Sequence, residues 1–156
     1  MQKRLVDTQA PGSAIADEWL DLESMARVEL TSEDPDHPIE TALVPNEGSG
    51  WRAGEPGSQR IRLIFHQPQR LRRIMLRFDE PRGERTQEFT LRWSHDGGRS
   101  FQELVRQQYS FSPAGATREV EDLNVDLASV TALELTIIPD QGREQTRASL
   151  SEWRLA

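Results

Sequence analysis

Three stretches of this 156-residue chain place an apolar side chain at every second position. Ile61, Leu63 and Phe65 are interleaved with Arg62, Ile64 and His66; Ile74, Leu76 and Phe78 with Met75 and Arg77; Phe89, Leu91 and Trp93 with Thr90 and Arg92. A period of two marks a strand with one face buried, and it forbids a stable helix over the same residues. Shorter runs with strand character follow at 101–107, 120–127, 133–137 and 150–155, and Val28 and Leu30 alternate with Glu29 and Thr31 near the start. Turn signals separate them, at residues 66–69 and in Asp79-Glu80-Pro81-Arg82-Gly83. About eight antiparallel strands with no long amphipathic helix between them predict an all-β jelly-roll sandwich.

The length suits one folding unit, placed at residues 14–156, with residues 1–13 read as a flexible N-terminal tail containing Pro11-Gly12. Residues 14–25 fit either a helix or a short strand, residues 39–43 suggest a turn of helix, and 45–58 form a long polar loop around Trp51.

Composition narrows the function. With 35% hydrophobic and 29% charged residues, the outer faces of the sheets are expected to be wet. The absence of cysteine excludes thiol catalysis and thiolate metal sites. No apolar run approaches the roughly 20 residues of a membrane span, and residues 1–20 lack a secretory apolar core, so a cytoplasmic protein without membrane insertion is expected. The net charge is −7, although residues 60–106 carry 11 basic and 6 acidic side chains. Those arginines alternate with apolar residues as outward strand positions do, and nucleic acid is not the expected partner of an acidic chain.

No motif argues for an enzyme, and no catalytic residue is nominated. Glu47-Gly48-Ser49-Gly50 lacks the surroundings of a nucleophile elbow, and His37, His66 and His95 stand apart without metal-ligand spacing. Glu33, Asp34, Asp36 and His37 read as a solvated loop, with a hard-cation site as the alternative. Ser94-His95-Asp96-Gly97-Gly98-Arg99-Ser100-Phe101 is an Asp-box pattern: the Asp96 carboxylate accepts backbone donors across a tight turn, the glycines allow positive φ, and Phe101 folds back over the hairpin. Its reading is structural.

The order of these pieces resembles the discoidin, or galactose-binding-domain-like, family. The correspondence runs from the strand at Val28 through Ile39-Glu40-Thr41-Ala42-Leu43, the loop ending in Trp51, the strand pair around residues 61–65 and 71–78, the Asp96 hairpin, and the closing Ser149-Leu150-Ser151-Glu152-Trp153-Arg154-Leu155. The resemblance implies a non-catalytic module binding a ligand through loops at one end of the sandwich, most simply a carbohydrate, with an intracellular protein–protein interaction module as the alternative. It also implies a structural calcium in some members, here matched by Asn46, Ser49 and Glu152, with Asn46 standing where an aspartate is usual. The lost charge would weaken such a site.

Sugars stack on exposed rings and bond to polar rims. The nominated ligand-binding residues are therefore Trp51, Tyr109 and Phe111 as platforms, and Arg52, Arg72 and Arg118 as partners for hydroxyl or carboxylate groups. Trp51 reads first as a plug for one end of the core and only second as a platform, and Tyr109 and Phe111, in the polar stretch at 107–113, lie either on a loop or over the sandwich edge.

Overall fold

The computed structural model describes residues 19–45 and 48–156, so the expected tail at 1–13 and the nominated Asn46 lie outside the described residues. The element order is α1 (Leu22–Met25), β1 (Ala26–Leu30), α2 (Glu40–Leu43), β2 (Trp51–Arg52), β3 (Gln59–Asp79), β4 (Arg85–Ser94), β5 (Gln102–Phe111), β6 (Arg118–Ile138), β7 (Ser149–Leu150) and β8 (Glu152–Leu155). No helix among the described residues is long and apolar enough to cross a membrane. The ambiguous segment before β1 ends as the single helical turn α1, and the turn of helix expected near residue 40 is α2.

Two strands of 21 residues, β3 and β6, organise everything else. The first arm of β3 lies between β1 and the last arm of β6, with Leu63 opposite both Val28 and Leu133. β4 and then β5 extend that sheet on the far side of β6. The second arm of β3 pairs with the first arm of β6, Ile74 opposite Leu123, and with β8, Ile74 opposite Leu155. The result is a five-stranded and a three-stranded layer that share β3 and β6. Their inner faces meet where Phe78 of β3 packs on Phe89 of β4, ring centroids 5.3 Å apart.

The turn expected at residues 66–69 is not a turn. The chain stays extended there, and pairing with β6 slips between Ile64 and Gln69, between Gln69 and Leu71, and between Leu71 and Arg73. The buried set records the slip: Ile61, Leu63, Phe65 and Leu71 are odd-numbered, whereas Ile74, Leu76 and Phe78 are even. One extra residue turns the strand over, as a bulge does, and carries it from one layer into the other. The runs at 120–127 and 133–137 are likewise the two arms of one strand. Residues 107–111 belong to β5, not to a loop.

The β4–β5 turn follows the Asp-box expectation. Asp96 Oδ1 accepts the Arg99 and Ser100 amides at 3.1 and 3.0 Å, and Oδ2 accepts the Ser100 hydroxyl at 2.6 Å. The Ser100 and Ser94 hydroxyls hold the carboxyl far below the usual carboxylate range. Phe101 then folds back over the outer face of the larger sheet, its ring centroid 5.0 Å from the guanidinium carbons of both Arg62 and Arg92. Beneath it Glu134 is buried, accepting Arg62 Nε at 2.7 Å and Arg92 Nε at 2.9 Å.

Candidate functional site

At one end of the sandwich the two-residue strands β2 and β7 pair, Trp51 opposite Leu150 and Arg52 opposite Ser149. Chain 48–50 closes over them. Gly50 has φ +97°, and a Cβ there would stand 2.6 Å from the Leu150 carbonyl oxygen, so only glycine permits this approach. Between this ribbon, His37 and the exit of β3 lies a cavity of about 270 Å³, with Ser49, Arg52, Arg77, Asp79 and Ser151 in its wall.

The wall is held by a chain of ion pairs. Arg118 Nε donates to Asp79 Oδ1 at 2.6 Å, and Arg77 Nε to Asp79 Oδ2 at 2.9 Å. Arg77 also bonds Glu152, which pairs with Arg154 at 3.1 Å, and Arg154 donates to the Ala42 carbonyl at 2.6 Å. Burial would raise the Asp79 pKa, but hydrogen bonds from Arg118, Ser151 and Arg77 outweigh it and hold the carboxyl below its usual value.

Behind the ribbon, Glu80 is buried, accepts the Ser149 hydroxyl and pairs with Arg85 at 3.2 Å. Arg85 donates in addition to the Arg147 carbonyl at 3.1 Å. Its pKa is lowered, first by burial and further by the neighbouring positive charge of Arg52, against the pull of Glu80 and Asp140.

The nominated residues divide. Ser49 and Arg52 face the cavity, and Arg118 and Glu152 reach it through Asp79 and Arg77. Trp51 also borders it, but the side chain is 1% exposed and its indole N–H donates to the Ser32 carbonyl at 3.2 Å. A ring enclosed in this way offers no face to a sugar, so Trp51 is a plug. Phe111 is equally buried, at the end of β5, and is no platform either.

Tyr109 is half-buried, packed on Phe89 and Phe111 at 5.9 and 6.2 Å, with its hydroxyl donating to Glu121 at 2.5 Å. Burial, then the hydrogen bond to Glu121, pushes that phenol well above its usual pKa. Arg72 is exposed beside the chain end, its amide donating to Ala156 at 2.7 Å. It stands five residues along β3 from Arg77, roughly 17 Å at strand spacing. Neither Tyr109 nor Arg72 joins the cavity.

The calcium ligand set fits poorly. Ser49 Oγ lies 3.3 Å from His37 Nδ1, and the Glu152 carboxylate is shared by two guanidinium groups. No group of three acidic or histidine side chains suited to a metal occurs among the described residues. In the 33–37 loop, Glu33 instead accepts the Ile39 amide at 2.7 Å and Asp34 the Asp36 amide at 2.9 Å.

Sequence reasoning missed His37, Arg77, Asp79 and Ser151 as wall residues. The available signal was positional: Arg77 and Asp79 are the last charged residues of a strand before a turn, where sites gather.

No protein-family model and no curated protein sequence matches this chain. Solved structures do. A pectin-binding carbohydrate-binding module aligns with TM-score 0.61 at 17% identity over 84% of this chain and 89% of that one. The family 32 module from C. perfringens NanJ, in complex with galactose, aligns with TM-score 0.65 at 14% identity over 88% and 96%. The chain has the galactose-binding-like fold. A third galactose-binding-like sandwich, the family 32 module of AlyQ in complex with 4,5-unsaturated mannuronic acid, aligns with TM-score 0.62 at 15% identity over 85% and 95%. At these identities the likeness concerns the galactose-binding-like framework.

Proposed function

We propose that this domain is a non-catalytic carbohydrate-binding module that holds one sugar unit in the cavity beside the β2–β7 ribbon. The observation that carries the reading is the make-up of that wall: guanidinium, imidazole, hydroxyl and carboxylate groups surround a space just below the roughly 300–1,000 Å³ of small-ligand sites. Hydroxyl-rich rings need donors and acceptors together, fixed before the ligand arrives. The ion-pair chain from Arg118 to Arg154 supplies that rigidity. By contrast, the groove beside β1 is lined by Leu22, Val28, Leu30, Ile39 and Leu43, and among the described residues its charged groups are the carboxylates Glu23, Glu33 and Glu40. Modules of the same fold that hold sugars agree with the reading.

Titration of the isotopically labelled protein with galactose, N-acetylgalactosamine and galacturonic acid tests it. At least one should bind with Kd on the order of 1 mM, about −4 kcal/mol, and shift the Arg52, Ser149 and Ser151 amides. His37→Ala should weaken that binding about fivefold, the worth of one hydrogen bond. No amide shift with any of the three sugars would sink the proposal.

A further inference from the structure

The same fold holds neutral and acidic sugars in the structures it resembles, so the framework leaves the charge of the ligand open. The guanidinium groups of this chain differ in what they already hold. Arg77 is paired with both Asp79 and Glu152, Arg118 with Asp79, and Arg85 with Glu80. The Asp79 carboxylate is in turn used up by Arg118, Arg77 and Ser151.

Arg52 is different. Its backbone is fixed on both sides, the amide donating to the His37 carbonyl at 3.1 Å and the carbonyl accepting the Asp34 amide at 2.9 Å. Its side chain lines the cavity, only partly exposed, and it takes part in no ion pair among the described residues. Arg85, close enough for its charge to be felt by Arg52, is itself paired with Glu80, so Glu80 is already engaged by another cation. A guanidinium held in a cavity wall with no carboxylate paired to it among the described residues is a fork for a planar carboxylate, which it grips with two parallel, charge-assisted hydrogen bonds.

We propose that Arg52 sets the charge class of the ligand: the sugar bound here carries a carboxylate, as a uronic acid does, and that carboxylate sits on the Arg52 guanidinium. The inference rests on the carbohydrate reading above and adds to it an electrostatic selection.

Paired calorimetric titrations with galacturonic acid and its methyl ester test it, because the ester keeps the ring and removes the charge. The full chain should bind the acid about tenfold more tightly than the ester at about 20 mM salt, and the ratio should shrink at about 500 mM salt. In Arg52→Gln the ratio should fall to about one, and Arg52→Lys should recover part of it, since an ammonium keeps the charge without the fork. Acetate at equal concentration should compete poorly.

Equal binding of acid and ester by the unaltered protein would overturn the inference while leaving the carbohydrate reading standing. So would an Arg52→Gln protein that keeps the full preference, or acetate competing as well as galacturonic acid. Binding of neither the acid nor the ester, nor of the neutral sugars, would remove both readings together.

Discussion

Gln87 sits in β4 with its side chain fully buried, and among the described residues neither its amide nitrogen nor its amide oxygen has a hydrogen-bond partner. An orphaned buried amide costs stability that an apolar side chain of similar size would not. Gln87→Leu should therefore raise stability by about 1 kcal/mol, seen as a melting temperature about 2–4 °C higher by calorimetry. A lower melting temperature would show that the amide is satisfied by something unseen, such as a buried water. Single residues were also the hardest scale to read from the chain alone. Trp51, Tyr109 and Phe111 present the same aromatic chemistry to a sequence reader, and only tertiary packing decides that two are enclosed and one half-covered. Arg52 and Arg72 are equally alike in sequence; what separates them is a ribbon formed with residues almost a hundred positions later.

At the level of elements, Glu134 ties three strands together. It lies opposite Arg62 of β3 and Arg92 of β4, and the Phe101 ring shields all three. Burial would raise the Glu134 pKa, but the hydrogen bonds from Arg92 and Arg62 prevail and lower it. Breaking a fully buried pair costs about 3–5 kcal/mol, but these guanidinium groups are 28% and 40% exposed and can regain water. Glu134→Gln should thus cost about 1–3 kcal/mol in urea unfolding, with the unfolding slope unchanged. The strands themselves were legible, because alternation of apolar and polar residues survives any tertiary context that buries one face. The bend at 66–69 was not: a reversal and a bulged crossing both interrupt the alternation and both accept Pro68. Their difference lies in the partner, β6, more than sixty residues away.

For the molecule as a whole, acid is the revealing variable. Asp79, Asp122 and Glu134 all have pKa values lowered by arginine partners. Groups shifted downward on folding stabilise the native state above their unfolded pKa and lose that contribution as pH falls through the folded one. The melting temperature should therefore hold down to about pH 5 and drop steeply below about pH 4, where ordinary carboxylates take up protons. A profile flat to about pH 2 would contradict the paired-carboxylate description. The all-β class was open to a sequence reader, whereas the joining of two expected strands into β3 and two into β6, and the sharing of both between layers, depends on contacts between residues such as Gln59 and Ile137. That sharing has a further effect. With two strands belonging to both layers, neither layer can melt while the other survives, so unfolding is a single all-or-none event. A chain that ends before residue 118 lacks β6, the strand on which both β3 and β4 pair. The cavity, hung on the last residues of β3 and on the β2–β7 ribbon, then exists only in the finished fold.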